Sequence, residues 1–178
     1  MNVLIEKDFQ FQAGVCFQSN FLLNSYKFTL TMSVLTESVR EQNIAMERIK
    51  YMINESLSNI FFVPDYQKET KNTMKQLGFK VCCLPDEPFD QIVSLVLLLK
   101  FNAIAEGRIN VDKIKITTTL SDNVTFYAYI EDAENGLNSK DWWNERGPNT
   151  TACVDITENI YKLQQQDTWE SVGLGWED

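Results

Sequence analysis

The sequence predicts a single α+β domain, in which an antiparallel sheet of two hairpins packs against two to three helices. Two pairs of segments, one near the start of the chain and one past its middle, alternate apolar and polar residues with the period of a half-buried strand. The stretches between them carry apolar residues at helical spacing. With 178 residues, of which 44% are hydrophobic and 23% charged, the chain has the composition of a globular protein.

Two alternating segments predict the first hairpin. In residues 8–18 every second residue is apolar, beginning at Phe9, and the residues between them are rich in glutamine. Residues 26–36 repeat this alternation from Phe28 onward. The Ser and Asn pairs at 19–20 and 24–25 supply turn chemistry. We therefore expect an antiparallel hairpin with a wide loop, one apolar face and one glutamine-rich face.

The middle of the chain predicts two helices and a short strand. Residues 40–58 place apolar side chains at the spacing of an amphipathic helix. After the apolar run at 60–63, a more polar helical stretch extends from Pro64 to Leu77, and Gly78 is placed to end it. Residues 79–84 predict the strand that follows.

A third helix is predicted over residues 88–106. Pro88 suits the first turn, Asp86 or Glu87 is able to cap it, and Asp90 lies near the positive end of the helix dipole. Gly107 would end it. The segment has almost no polar face, which is typical either of the central buried helix of a domain or of an oligomer contact.

The second hairpin is predicted from residues 113–120 and 123–131, which alternate and are joined by a Ser-Asp-Asn link. The α+β core domain is therefore expected to span residues 1–132. Residues 133–178 contain loop-like stretches around Trp142 and Trp143. We expect them to form a loop-rich C-terminal extension packed on the core.

The charge and hydropathy patterns exclude several classes of partner. The formal net charge is −9 and the pI about 4.6, which opposes the phosphate neutralisation that begins nucleic-acid binding. A basic ligand or partner is favoured over an acidic one. The first residues lack the features of a signal peptide, and the longest apolar stretch, 92–99, is well short of the roughly 20 residues of a membrane span. The expected localisation is cytoplasmic, without membrane contact.

The residues needed for most catalytic sites are missing. The chain has no histidine, which removes the commonest general base and the commonest metal ligand. Of the four cysteines, Cys82 and Cys83 lie in an apparent strand, where neighbouring side chains point to opposite faces. Phosphate-binding glycine loops and the nucleophile elbow are also missing. We expect no metal and no cofactor, whereas chemistry that uses carboxylates alone stays open.

Carboxylates mark two candidate ligand sites. Glu87, Asp90 and Gln91 cluster at the start of the third predicted helix, where backbone donors hold a carboxylate in place. Ordinary helix capping is the alternative explanation of this cluster, and the favoured one. Glu131 is a second candidate at the end of the last predicted strand.

An aromatic pair marks a candidate partner site. Trp142 and Trp143 lie in a predicted loop together with Arg146. Tryptophan and arginine are enriched among the residues that dominate binding at protein interfaces. The alternative is that the aromatic side chains anchor the C-terminal extension to the core.

The element order over residues 8–131, two strands, helices and two strands, resembles the tunnelling fold of 6-pyruvoyl-tetrahydropterin synthase and the queuosine-pathway enzymes. The zinc-binding histidines of that family have no counterpart in a chain without histidine. The resemblance implies a ring-forming oligomer in which a glutamate anchors a purine- or pterin-like ring at a subunit interface. Glu131 is the nearest candidate for that glutamate by position.

Two functions from different classes follow. The first is a non-catalytic protein-interaction or assembly protein, such as an accessory factor of a virus or mobile element, which binds a protein partner or itself. The second is an oligomeric small-molecule binder, or a histidine-free enzyme, that acts on a purine- or pterin-like ring. The first is favoured because no catalytic constellation is found.

Overall fold

A computed structural model describes residues 4–18 and 20–136 of the chain. It confirms a single α+β domain, in which four helices pack on a six-stranded sheet. The elements, in chain order, are β1 (Leu4–Phe17), β2 (Asn20–Val34), α1 (Val39–Tyr51), a π-helical segment (Met52–Leu57), β3 (Ile60–Pro64), α2 (Lys68–Gln76), β4 (Val81–Leu84), α3 (Asp90–Ala105), β5 (Ile109–Thr118), β6 (Thr125–Tyr129) and α4 (Ile130–Gly136).

The sheet is mixed, with the strand order β4-β3-β1-β2-β5-β6. The two predicted hairpins, β1–β2 and β5–β6, are antiparallel and lie side by side through the antiparallel β2–β5 pair. The expectation of a purely antiparallel sheet was wrong, because β3 and β4 join the free edge of β1 in parallel. The helix α2 provides the crossover that parallel neighbours require.

The core lies on one face of the sheet, which is called the inner face. It receives the apolar residues of the predicted alternation, and α3 packs against it across β5 and β6. The rings of Phe28 in β2 and Phe101 in α3 stack with centroids 6.0 Å apart. Because α3 is buried on nearly all sides, it is the central helix of the domain. The largest fully buried side chains are Tyr26, Phe62, Phe101, Leu30, Met32, Ile49, Met52, Ile53, Leu57, Ile60, Leu84 and Leu97.

The first hairpin is longer and tighter than predicted. Phe17 pairs with Asn20 directly across the turn, so the wide loop expected over residues 19–25 does not exist. Gln18 takes a positive φ of 46°, which allows the chain to reverse within two residues. Asn24, whose residue type favours a turn, lies inside β2 and is buried.

The helix boundaries also differ from the predictions. The predicted helix 40–58 is α-helical only to Tyr51 and then continues as the π-helical segment. The helix α2 begins at Lys68, since Pro64 is the last residue of β3. Neither predicted cap is used at α3, where Phe89 holds the N-cap position without a side-chain hydrogen bond. The Asp86 carboxylate instead accepts a hydrogen bond, 2.8 Å long, from the neighbouring backbone N–H.

The opposite face, called the outer face, is covered only in part. The Cys16 thiol points to this face and donates a hydrogen bond to the Gln67 side chain, 3.3 Å away, just before α2. The helix α2 thus covers the end of the sheet formed by β3 and β4. Over β1, β2, β5 and β6, no helix among the described residues covers the outer face, which carries exposed polar residues such as Gln10 and Lys27. None of the described helices is both long enough and apolar enough to span a membrane.

Candidate interaction surface at the hairpin end of the sheet

A glycine and an aromatic ring meet on the outer face, close to the turn of the first hairpin. Gly14 in β1 pairs with Leu23 in β2 on one side and with Phe61 in β3 on the other. A Cβ atom at residue 14 would overlap the Cδ1 and Cε1 atoms of Phe61. The Phe61 ring therefore lies directly on the Gly14 backbone, a close approach that only glycine permits within a strand.

Further aromatic rings surround Phe61. Its ring centroid lies 5.0 Å from that of Phe79 and 6.2 Å from that of Phe21, and both pairs adopt edge-to-face geometry. Phe21 and Phe79 are each nearly half exposed, and Leu23 beside them is 79% exposed. These five residues, Gly14, Phe21, Leu23, Phe61 and Phe79, are called the hairpin-end surface.

The hairpin-end surface borders a concave site of about 470 Å³. Gln12, Ser25, Asn59 and Thr119 provide a polar rim, and no charged side chain lines the site. The Asn59 backbone N–H donates a hydrogen bond to the Gln12 carbonyl at 2.8 Å, and Asn59 has a φ of 60°. In a chain with a net charge of −9, this uncharged lining suits an apolar group with amide or hydroxyl neighbours.

A larger depression of about 860 Å³ follows the flank of α1. It is lined largely by charged and polar side chains, including Arg48 and Glu47. Their charges are already paired, Arg48 with Glu106 at 2.6 Å and Glu47 with Lys50. This depression is formed by residues of α1 and the π-helical segment alone, whereas residues from several strands converge at the hairpin end, so the hairpin-end surface is the stronger candidate.

Asp90 has a structural role. Its carboxylate is buried and accepts hydrogen bonds from the hydroxyl of Thr118, at 2.6 Å, and from that of Ser121. These bonds tie the first turn of α3 to the connection between β5 and β6. Glu87 accepts a hydrogen bond from the Tyr66 hydroxyl, which raises the pKa of that tyrosine.

A buried tyrosine lies near Asp90. Burial raises the pKa of Tyr26 far above its ordinary value, against a smaller opposite effect of Asn24, and the charge of Asp90 raises it further. The Tyr26 hydroxyl has no hydrogen-bond partner within the described residues. The Asn24 carbonyl oxygen accepts hydrogen bonds from the Thr119 hydroxyl at 3.1 Å and from the backbone N–H of Leu120 at 3.2 Å.

The predicted ligand residues do not form one site. Gln91 is exposed on α3, and Glu131 lies in the first turn of α4 because β6 ends at Tyr129. Since Asp90 binds Ser121 before β6 and Glu131 follows β6, the length of that strand, roughly 16 Å, separates them. The predicted partner residues Trp142, Trp143 and Arg146 lie outside the described residues.

The residues of the hairpin-end surface were missed in the sequence. One signal was available, because Gly14 interrupts the glutamine-rich face of an alternating strand, where a glycine indicates a close approach of another group. Which group approaches depends on the register between β1 and β3. A single short apolar run at residues 60–63 does not reveal that register, nor that Phe61 points to the outer face.

Comparison with known proteins adds a fold relationship. No protein-family model matches the chain, and no curated protein matches it. Among solved structures, the uncharacterized protein WS1659 from Wolinella succinogenes is similar, with a TM-score of 0.53 and 11% sequence identity. The match covers 73% of this chain and 99% of that one. At this identity the similarity shows a shared fold alone.

The described residues offer little for metal binding. No three side chains of Cys, Asp or Glu within 4–18 and 20–136 lie close enough together to hold a metal ion. Cys16, Cys82 and Cys83 are buried, which is the usual environment of structural cysteines.

Proposed function

We propose that this protein is a non-catalytic protein-interaction module, with an accessory or assembly role, that binds its partner through the hairpin-end surface. The observation that carries the proposal is the exposure of Leu23, Phe21 and Phe79 around the ring of Phe61. Contiguous exposed apolar groups of this kind mark interaction sites. Burying one leucine or phenylalanine side chain fully stabilises a complex by roughly 1.5–3 kcal/mol.

The lining of the concave site defines the chemistry of the partner. A volume of about 470 Å³ accommodates one or two large side chains. The lining carries no charge, so the contacting part of the partner is apolar or aromatic rather than basic or acidic. Gln12 and Asn59 line the site, and we expect their amide groups to bond to the backbone of the partner beside that apolar anchor.

The use of the carboxylates supports an interaction role over catalysis. Asp90 is buried and accepts two hydrogen bonds that hold a loop, and Glu87 is bonded to Tyr66. A general acid or base acts through a proton-accepting or proton-donating atom that faces the substrate. Neither carboxylate lines the concave site at the hairpin end.

Affinity purification of the tagged full chain from its own cells tests the proposal. Leu23→Glu places a charge on the hairpin-end surface, and because Leu23 is 79% exposed the substitution leaves the core intact. Tyr127→Glu, on the outer face of β6 and also exposed, is the matched control. A protein that is retained by the wild type and the control, lost with Leu23→Glu, and bound by the purified chain in calorimetry supports the proposal. Equal retention by all three chains contradicts it.

A second candidate is the tunnelling-fold-like binder of a purine- or pterin-like ring. The observation that favours it is the contiguous antiparallel set β1-β2-β5-β6 with α1 and α3 placed between the two hairpins in the chain. Native mass spectrometry of the protein purified from its own cells tests this candidate. A closed ring that carries a small heteroaromatic mass, lost in Glu131→Gln, would favour it over the interaction module. A monomer without ligand would exclude it.

A further inference from the structure

Two stripes of opposite charge run along the outer face of the sheet. Glu6 and Asp8 lie on β1, and Lys113 and Lys115 lie on β5, with β2 between the two strands. Glu6, Asp8 and Lys115 are exposed, and Lys113 is partly exposed. We call the two acids the acidic stripe and the two lysines the basic stripe. Both stripes lie on the part of the outer face that no described helix covers.

The two stripes are in register with each other. The backbone pairing aligns one acid with one lysine in each of two rows across β1, β2 and β5, namely Glu6–Thr31–Lys113 and Asp8–Thr29–Lys115. Because β2 lies between them, the acid and the lysine of a row are two strand spacings, or roughly 10 Å, apart. An ion pair needs a distance of about 4 Å or less. The two stripes therefore do not neutralise each other within one chain.

Contacts within the chain hold these charges in place. The Thr29 hydroxyl donates a hydrogen bond to the Asp8 carboxylate at 2.6 Å, and the Thr31 hydroxyl donates one to Glu6 at 3.1 Å. The Lys113 ammonium lies 4.5 Å from the centroid of an aromatic ring on β6. A carboxylate accepts several hydrogen bonds, so each acid can bind a cation as well as its threonine. The charges are thus positioned before any partner binds.

We propose that a second copy of this chain packs its outer face on these two rows, forming a symmetric dimer. A two-fold axis that runs along β2, parallel to the strands, places β1 of each copy over β5 of the other. Rotation about this axis keeps each row at its own level. Glu6 then faces Lys113 of the second copy, and Asp8 faces Lys115 of the second copy. Sheets packed face to face lie about 10 Å apart with nearly aligned strands, a gap that these side chains bridge from both sides.

The arrangement of the charges favours a second copy over another partner. A partner of one charge sign would be attracted by one stripe and repelled by the other. A second copy related by the axis along β2 matches both stripes at once. Each chain has a net charge of −9, so two copies meet most favourably where each acid faces a lysine. The proposal goes beyond the proposed function, because it concerns a different surface of the sheet.

Other charges on the outer face define the extent of the contact. Lys27 lies on β2 in the next row toward the hairpin turn, so the two Lys27 side chains of a dimer would lie near the axis and repel each other. Toward the other end of β5, the Asp112 carboxylate already accepts hydrogen bonds from the side chains of Ser33 and Asn110. The contact is therefore centred on the rows of the two stripes, and the hairpin-end surface stays open.

Charge-reversed variants of the full chain test the dimer. Glu6→Lys with Asp8→Lys makes both stripes basic, and Lys113→Glu with Lys115→Glu makes both stripes acidic. In sedimentation velocity, each variant alone should dimerise with a dissociation constant raised about tenfold or more above that of the wild type, because like charges then face each other. An equimolar mixture of the two variants should form a heterodimer, because every stripe then meets its opposite. Native mass spectrometry identifies the heterodimer by its mass.

Matched variants decide the outcome. A chain with all four reversals exchanges the stripes and should dimerise like the wild type, which separates the charge pattern from any loss of folding. Glu37→Lys with Glu69→Lys makes the same change in net charge at exposed positions outside the sheet and should leave the dimer intact. A wild type that stays monomeric at every concentration, a mixture that does not associate, or a dimer that neither reversal weakens would each overturn the proposal. Partner retention through the hairpin-end surface is measured separately, so the two proposals fail independently.

Discussion

The ring of Phe61 occupies the space that a Cβ atom on Gly14 would need. This contact joins β1 to β3, the first of the two parallel strands, and it also forms the floor of the hairpin-end surface. Gly14 thus links the stability of the sheet edge to the shape of the candidate interaction site.

Gly14→Ala is expected to destabilise the protein by about 1–3 kcal/mol, the usual range for overpacking. The added methyl group must displace the Phe61 ring, which is held between Phe21 and Phe79. Urea unfolding measures the loss. Gln12→Ala, at an exposed position on the same strand face, is the control and should stay within about 0.5 kcal/mol of the wild type. An equally stable Gly14→Ala chain would show that the ring does not lie on the glycine.

Asp90→Ala is expected to cost about 1–3 kcal/mol of unfolding free energy, because the hydroxyls of Thr118 and Ser121 lose their acceptor in a buried place. Asp90→Asn keeps an acceptor oxygen and should cost less. Thermal unfolding compares the two variants with Gln91→Ala, an exposed neighbour on α3. If Asp90→Ala and Gln91→Ala unfold at the same temperature, Asp90 does not hold the connection between β5 and β6.

Glu106 makes stability depend on acid pH. Burial alone would raise the pKa of Glu106, but hydrogen bonds from Arg108 and Arg48 outweigh it and hold this pKa below the ordinary 4.5. The unfolded chain therefore binds this proton at a higher pH than the folded chain does. The contribution is fully present above pH 4.5 and is lost as the pH falls through the lowered pKa.

The unfolding free energy of Glu106→Gln should consequently depend less on pH in the acid range than that of the wild type. We expect the variant to be less stable than the wild type at pH 7 and the two curves to converge as the pH falls below the ordinary pKa. Urea unfolding at several pH values measures the profile. Glu47→Gln is the control, since the exposed Glu47 pairs with its neighbour Lys50 on α1. Parallel curves for Glu106→Gln and the wild type would contradict the assigned ion pairs.

Tyr26 makes the stability of the folded chain depend on pH in the alkaline range. Its pKa is raised by burial, so the folded chain keeps the phenol proton at a pH where the unfolded chain has lost it. The stabilisation is fully present below the ordinary value of 10.0 and declines as the pH rises above it. Tyr26→Phe removes both the titration and a buried hydroxyl without a partner among the described residues.

We therefore expect Tyr26→Phe to be at least as stable as the wild type at pH 7 and to resist alkaline unfolding to a higher pH. Circular dichroism against pH measures the midpoint. Tyr127→Phe, at an exposed position, is the control and should not move it. An unchanged alkaline midpoint in Tyr26→Phe would assign that transition to other groups.

The strands of both hairpins were predictable because their signal is local. Alternation from Phe9 onward and again from Phe28 onward marks β1 and β2 wherever they pair. The strand β3 lacked such a signal, since its short run is apolar throughout and its partner is chosen by tertiary packing. The turn after Phe17 was misplaced because Asn24 and Ser25 have turn-forming side chains, yet β2 uses Asn24 to hold Thr119 and Leu120.

For the candidate sites too, the local part could be predicted and the part that depends on tertiary structure could not. Asp90 was recognised as a carboxylate at a helix start, but its partners Thr118 and Ser121 come from a distant part of the chain. The structural role of Gly14 depends on Phe61, which becomes its neighbour through the parallel pairing of β1 with β3. Residue type alone identified the polar groups, whereas their structural role required knowledge of which strands pair.

The register of β2 with β5 also shapes how the chain folds. The innermost pair of this ladder joins Val34 to Ile109, so the ladder closes a loop of roughly 75 residues, which costs about 4 kcal/mol in chain entropy beyond a constant term. The β1–β2 turn closes a loop of only a few residues. We therefore expect the two hairpins to form early and independently of each other. We expect the pairing of β2 with β5, after α3 has packed on both hairpins, to limit the folding rate.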